Sequence, residues 1–264
     1  MSTLDMGVQI MNTARSLGAS LAGIASVDLI KKSPAHYIYK KIGLHKGVGA
    51  RESGREEKFA IAWPTMAKSA LVIALAHTED QPHLDWWDGV NGTAGNRLLI
   101  GICEALSVWI EKEFKISTHK MPYYIERGGI FLKDAAVMAG LGCIGKNNLL
   151  ITPEFGPRIR LRALLLDEEI VPAGPIQFDP CDGCSEPCKQ ACPKFAFNRI
   201  IYSQVEITSD TLPGRNGCYN RVLCNIQMNK DIKNSEVTKI KPKDKMPICV
   251  KYCRRCELAC PIGK

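Results

Sequence analysis

The stretch CDGCSEPCKQACP, Cys181 to Pro193, places four cysteines and a closing proline within one short loop. Such a loop is a disulfide staple, a zinc knot or the wrapping of an iron–sulfur cluster, and each implies a different protein. A second motif follows, with Cys253, Cys256 and Cys260 closed by Pro261, and with Cys218, Cys224 and Cys249 between the two. Ten of the twelve cysteines lie beyond residue 174, and only Cys103 and Cys143 lie before it. Cysteine usage therefore divides the chain into residues 1–174 and 175–264.

The N-terminus, MSTLDMGVQIMNTARSLGAS, carries an early acidic residue and no continuous apolar run, so it does not read as a signal peptide. No stretch approaches the roughly 18 apolar residues of a membrane helix. The expectation is a cytoplasmic protein without a membrane partner, in a compartment where disulfides are rare and thiolates more often bind metal.

Three closely spaced thiolates on a turning loop reach three irons of one cubane. A fourth cysteine followed by proline points away and serves the other cluster of a two-cluster ferredoxin. Cys181, Cys184, Cys188 and Cys260 are thus expected to hold one [4Fe–4S] cluster. Cys192, Cys253, Cys256 and one upstream cysteine would hold a second, with Cys218 chosen for that place and Cys224 and Cys249 as rivals. Zinc with four cysteine ligands is the simpler metal. It explains neither the third close cysteine nor the Cys-Pro ending. Three residues rather than two separate Cys184 from Cys188, so the loop is expected to bulge at Pro187.

The formal charge is +8. Eight cluster thiolates and two cores would bring the loaded protein to about +4. That value suits an anionic partner and an ordinary solvated basic surface alike.

The first part alternates helical and strand-like patterns, which predicts an α+β or α/β domain with a mixed sheet. Met6, Ile10, Ala14 and Leu17 share one face of an N-terminal helix, and Leu99, Cys103, Leu106 and Ile110 share one face of Asn96–Phe114. Ser20–Val27, Ser69–His77 and Ile159–Asp167 read as strands, and Phe131–Gly140 as a helix stopped by its glycine. The polar stretch Lys230–Lys245 reads as an exposed excursion. The histidines His36, His45, His77, His83 and His119 have no metal-ligand spacing. Trp86 and Trp87 would wall a pocket or pack in the core.

The stretch AGLGCIGKNNLLITPEFGPRIRLRALLLD, Ala139–Asp167, fits neither a Walker loop nor a dinucleotide fingerprint. Its glycines are expected to allow close approach of a large ligand. Together with LRALLLD and the Cys-rich motif ending in CP, the AGLGCIGKNNLLITPEFG segment resembles the epoxyqueuosine reductases, which are related to reductive dehalogenases. The family shows a tryptophan where Cys143 stands, and many members carry a helical-repeat tail beyond the second cysteine motif.

The resemblance implies a nitroreductase-like α/β domain over 1–174 that holds base-off cobalamin, followed over 175–264 by a ferredoxin-like module with two [4Fe–4S] clusters. Gly140, Leu141, Gly142, Cys143, Ile144, Gly145, Lys146, Asn147 and Asn148 would lie against the corrinoid. Cys218 matches the isolated cluster cysteine of the family. Glu126 stands where the family places its proton-donating aspartate, with the nearby Tyr123 and Tyr124 as phenolic alternatives. The implied reaction is reduction of epoxyqueuosine in tRNA, the last step of queuosine formation, with electrons from a ferredoxin or flavodoxin passing through the clusters to cobalamin. A small-molecule substrate on the same cofactors, or an electron carrier serving a separate corrinoid protein, are the competing expectations.

Overall fold

The computed structural model describes residues 2–39, 61–88, 92–204, 212–237 and 248–264. Its centre is a four-stranded sheet of β1 (Leu21–Ser26), β2 (Ser69–Ala76), β3 (Thr118–Lys120) and β6 (Ile159–Leu166), in the order β1-β2-β6-β3. Two short strands, β4 (Cys143–Ile144) and β5 (Leu150–Ile151), form a separate hairpin. Every pair in the central sheet is antiparallel, which corrects the expected mixed sheet. The misreading has a physical origin. Helices cover both faces, so β2 is buried from Ser69 through Leu75 and presents the continuous apolar run typical of parallel strands.

Alternation along β2 sorts its side chains between two cores. Leu71, Ile73 and Leu75 meet Ile10 and Ala14 of helix α1 (Thr3–Ser16) and Leu99, Leu106 and Ile110 of helix α4 (Ala94–Phe114). Ala70, Val72 and Ala74 face the other way, toward Ala135 and Ala136 of helix α5 (Leu132–Met138). Between α1 and α5 in the chain come the short helices α2 (Val27–Lys32) and α3 (Pro34–Ile38). Local chemistry sets the helix ends. Ser2 and Asp5 form a capping box on α1, and the Thr93 hydroxyl accepts from the Asn96 N–H at 3.1 Å to start α4. Lys115 in the left-handed conformation (φ 59°) ends α4.

The four α4 residues expected inside are all buried, as are Ile10 and Ala14 of α1. Leu17 is not. It caps α1, which ends one residue earlier at Ser16, and has 41% of its surface exposed.

The cysteine-rich part has little regular structure. It contains α6 (Pro187–Gln190), α7 (Arg221–Lys233), α8 (Arg255–Leu258) and a two-residue pairing of β7 (Glu236–Val237) with β8 (Ile248–Cys249). The anticipated bulge is a left-handed Glu186 (φ 59°) that turns the chain into Pro187, the first residue of α6. The excursion expected over Lys230–Lys245 begins inside α7, and its residues 238–245 lie outside the described residues.

Leu106→Ala should lower stability by about 2–5 kcal/mol, the usual cost of emptying a fully buried leucine site. Leu17→Ala should change it by less than about 0.5 kcal/mol. Guanidinium unfolding of the two variants checks the register of both helices.

Candidate functional site

A cavity of 1630 Å³ opens where the sheet domain meets the cysteine-rich part. Its floor comes from β6, where the alternating RIRLR pattern has a use. Ile159 and Leu161 pack toward one core, while Arg160 and Arg162 project from the opposite face. Arg160 pairs with Asp85, and Arg162 donates from Nε to Asn96 Oδ1 at 3.2 Å. Arg162 also lies over the ring of Tyr123, 5.1 Å from its centre, and Arg127 lies 5.3 Å from that of Tyr124. Both tyrosines line the cavity. Glu126 sits between lining residues in a 3-10 turn, Ile125–Arg127, and its side chain lies outside the described residues. Trp87 lines the cavity too, whereas Trp86 lies under the ammonium of Lys251 at 4.5 Å.

The thiols gather in two groups. Cys181, Cys184, Cys188 and Cys260 line one small apolar pocket with Pro187 and Pro261. Cys192, Cys224, Cys253 and Cys256 line the large cavity. Burial pushes the Cys188 thiol up to about 11, and the charges of Cys260, Cys181 and Cys184 push the same way. Cys256 is likewise raised by burial, then by Cys224, Cys253 and other nearby negative charge including Cys192. Each group therefore gathers thiols, some of them buried, in one place, where a bound metal could take the place of their protons. The spacing is also informative. Among the described residues no three cysteine sulfurs lie within 4.8 Å of one another. A single zinc with Zn–S bonds of about 2.3 Å would hold its four sulfurs about 3.8 Å apart.

The first group is the set expected from spacing. In the second, Cys224 lines the cavity beside Cys192, Cys253 and Cys256, and Cys218 does not. Cys224 lies in the first turn of α7, a helix started by Asn220, whose side chain accepts from the Leu223 N–H at 3.0 Å. Cys218 keeps to its own turn, taking Asn216 Oδ1 on its backbone N–H at 3.3 Å. Neither Cys218 nor Cys249 lines either space. No local spacing marks Cys224, because tertiary packing of α7 brings it in.

Of the nine loop residues expected to touch a corrinoid, Ile144, Asn147 and Asn148 line the cavity. The rest serve the protein itself. A Cβ on Gly142 would sit 2.0 Å from the Ile151 carbonyl oxygen, and one on Gly145 would meet Asn147 and Ile151. At these two glycines it is Asn147 and Ile151 that come close, and the absence of side chains there permits the hairpin of β4 and β5. Gly140 packs on Ala173 and Gly174, and Leu141 is buried in the core beneath α5. Cys143 faces the Arg215 guanidinium at 3.6 Å, and Lys146 pairs with Glu186 at 2.8 Å beside the first thiol group. Asn147 is 3% exposed and borders both spaces. Its Oδ1 accepts from the Leu149 N–H at 3.2 Å, and its Nδ2 donates to the Cys256 carbonyl at 3.5 Å. Lys133 donates to the Asn148 carbonyl, and burial brings its ammonium down to about 8.

One cluster has no signal in the sequence. His77, Asp85 and Glu257 offer ligand atoms within 4.8 Å of one another, although Glu257 is remote in sequence from the other two. Arginines already thread the group. Arg254 donates to His77 Nδ1 at 2.8 Å and pairs with Glu257 and Asp85, and Arg160 takes the other side of Asp85. His77 is driven down to about 4 by burial, so it stays neutral despite Glu257 at 3.7 Å. The group is an ion-pair network that ties the β2 end to α8.

No family model matches the chain. In sequence it is 43% identical over 218 residues to the tetrachloroethene reductive dehalogenase of Dehalobacter restrictus, covering 72% of this chain and 38% of that protein. It is 27% identical over 218 residues to the tetrachloroethene reductive dehalogenase of Desulfitobacterium hafniense, with the same coverage. The epoxyqueuosine reductase of Synechocystis sp. is 29% identical over 164 residues, covering 56% of this chain and 55% of that protein. The chain therefore spans about two fifths of the length of the dehalogenases it matches.

Among solved structures, an epoxyqueuosine reductase with an epoxyqueuosine-modified tRNA-Tyr stem loop superposes with TM-score 0.65 at 18% identity, covering 99% of this chain and 66% of that one. A catabolic reductive dehalogenase in complex with 3-bromo-4-hydroxybenzoic acid gives 0.65 at 16%, covering 100% and 32%. At such identities the likeness is one of fold. The chain is similar in sequence and fold to epoxyqueuosine reductases and reductive dehalogenases, the two groups that its motifs implied.

Two substitutions test the site. Cys224→Ser should cost the protein about half its iron, whereas Cys218→Ser should keep all of it, as read by iron and sulfide analysis of anaerobic protein. Gly142→Ala should lower the apparent melting temperature through an overpacking cost of about 3 kcal/mol.

Proposed function

We propose that this chain is a cobalamin-dependent iron–sulfur reductase of the epoxyqueuosine reductase type. In this reading residues 1–174 form a nitroreductase-like α/β domain and residues 175–264 a ferredoxin-like module with two [4Fe–4S] clusters. The observation that carries it is the cavity, whose walls combine the sheet domain, the Ile144–Asn148 segment and one complete group of four thiols. A cavity this large exceeds the ordinary small-molecule range of about 300–1,000 Å³ and suits a cofactor together with substrate.

The residues fit the groups. The two thiol sets supply four ligands each, Cys181, Cys184, Cys188 and Cys260 for an outer cluster and Cys192, Cys224, Cys253 and Cys256 for an inner one. Sulfur spacing wider than a single zinc allows supports a cubane in each. Ile144, Asn147, Asn148, Val137 and Leu149 offer apolar contact and amides to a corrinoid. When bound, the clusters and corrinoid supply low-potential electrons and a nucleophilic metal at the cavity. A ferredoxin or flavodoxin is the electron source in this reading.

The chain's own residues do the rest. Lys133 fixes Asn148 by its hydrogen bond and holds the loop against the cavity. Arg127 and Arg162 place positive charge beside the two tyrosines and favour an anionic substrate such as a tRNA loop. Glu126, in the turn between Tyr124 and Arg127, is the proton donor. A second reading, a small organic substrate, is favoured by the longer match to dehalogenases and by the Tyr123 phenol under Arg162 as an alternative acid.

Anaerobically purified protein should contain about eight irons and one cobalamin per chain. Glu126→Gln should keep both yet slow single-turnover reduction of an epoxyqueuosine-containing stem loop by roughly 10²–10⁴-fold. Clusters without cobalamin would point instead to an electron carrier. Full cofactor loading with no turnover of the stem loop would leave the small-molecule reading.

A further inference from the structure

Among the described residues Arg158 is the largest fully buried side chain, 1% exposed, and neither the cavity nor the Asp85 network uses it. It follows Gly156 and Pro157 at a turn that grips the chain beyond the second cysteine motif. A Cβ on Gly156 would lie 1.9 Å from the Ile262 carbonyl oxygen, so the two backbones touch. The guanidinium donates only to carbonyls. Nη1 reaches those of Glu257 and Cys260 at 3.4 Å each, and Nη2 that of Ile262 at 2.5 Å.

Among the described residues Arg158 forms no salt bridge, and Glu257, the carboxylate that feels it, is already paired with Arg254. A buried cation without a carboxylate is expensive and calls for another counter-charge. The remaining candidates are the thiolate groups. Cys260 belongs to one, and Glu257 follows Cys256 of the other. The other cations near the first group are shared with carboxylates, Lys146 with Glu186 and Arg215 with Asp179. Arg158 is the unshared one.

We propose that Arg158 is a positioning residue that sets the reduction potential of the cluster held by Cys181, Cys184, Cys188 and Cys260, which the proposed function places there. A [4Fe–4S] centre with four thiolates is an anion that gains one further negative charge on reduction. A fixed cation beside it stabilises the reduced state more than the oxidised one, so the potential rises. The low dielectric of the site leaves that charge unscreened.

The test is a potentiometric titration of holoprotein followed by the electron paramagnetic resonance of the reduced clusters. The Cys224→Ser protein, retaining only the outer cluster, assigns the signals. Arg158→Gln should reduce the reduced-to-oxidised ratio of that cluster at a fixed potential at least tenfold, a shift of about 59 mV. The inner cluster should move less. Arg158→Lys, which keeps the charge and loses the three-carbonyl grip, should stay within about threefold of wild type.

A purely structural arginine would lower stability in both variants and leave the potentials alone. Unchanged titration of a fully loaded R158Q protein overturns the proposal, and so does an equal shift in R158Q and R158K. If R158Q does not retain its clusters, Arg158→Met, which removes the charge and keeps the bulk, is titrated in its place: a tenfold fall upholds the proposal, and an unchanged titration overturns it. Absence of iron from wild-type protein is a different failure, that of the cluster assignment itself.

Discussion

The gathering of eight thiols into two groups is the constraint on which this molecule turns. The first cysteine motif gives three sulfurs to one group and the second gives two to the other, while Cys192 and Cys260 change sides. Neither group can form while the two motifs are apart. Burial, with like charge after it, raises Cys188, Cys253, Cys256 and Cys260 together, so these thiols stay protonated unless a metal displaces the proton. The near-absence of regular structure in this part follows. With few of its described residues in helices or strands, this part would rely, in the proposed reading, on metal–sulfur bonds where the sheet domain has an apolar core.

The sheet domain meets that part through charges as much as through apolar contact. Arg158, Arg160 and Arg162 occupy consecutive alternate positions on one strand and its approach, and each has its own task. Arg158 holds the backbone beyond Cys256, Arg160 joins the Asp85 network, and Arg162 reaches Asn96 and Tyr123 in the cavity. Asn147 links the β4–β5 hairpin to Cys256 in the same way. The cavity is therefore framed by polar contacts that fix the distance between its walls.

Much of this was legible from local pattern. The 3.6-residue stripe of Leu99, Cys103, Leu106 and Ile110 and the strand of Ser69–Ala76 depend on neighbours in the chain, and both stand as read. Leu17 failed because a helix end is set by its cap rather than by its stripe. Strand direction failed because a run buried on both faces looks alike in parallel and antiparallel sheets. Spacing was enough to group the four cysteines that share the small pocket, whereas nothing in the spacing marks Cys224 as a neighbour of Cys192, Cys253 and Cys256. Cys218 and Cys224 differ only in which one α7 carries to the cavity. The glycines were recognised as a place of close approach, but what approaches Gly142 is Ile151. His77 and Glu257 meet only through the tertiary fold, and no spacing announces them.

In the proposed reading the chain between Cys192 and Cys253 would be pinned at both ends and once between them, by Cys224. This same segment supplies Leu212, Pro213, Tyr219, Gln227 and Met228 to the cavity wall. Closing a longer loop between fixed anchors is cheap, about 0.6 kcal/mol for each doubling of length. The wall facing a substrate is thus free to lengthen, shorten and change its side chains over evolutionary time while its anchors hold still. An architecture of this kind lets new substrates be acquired without rebuilding the wiring that serves them.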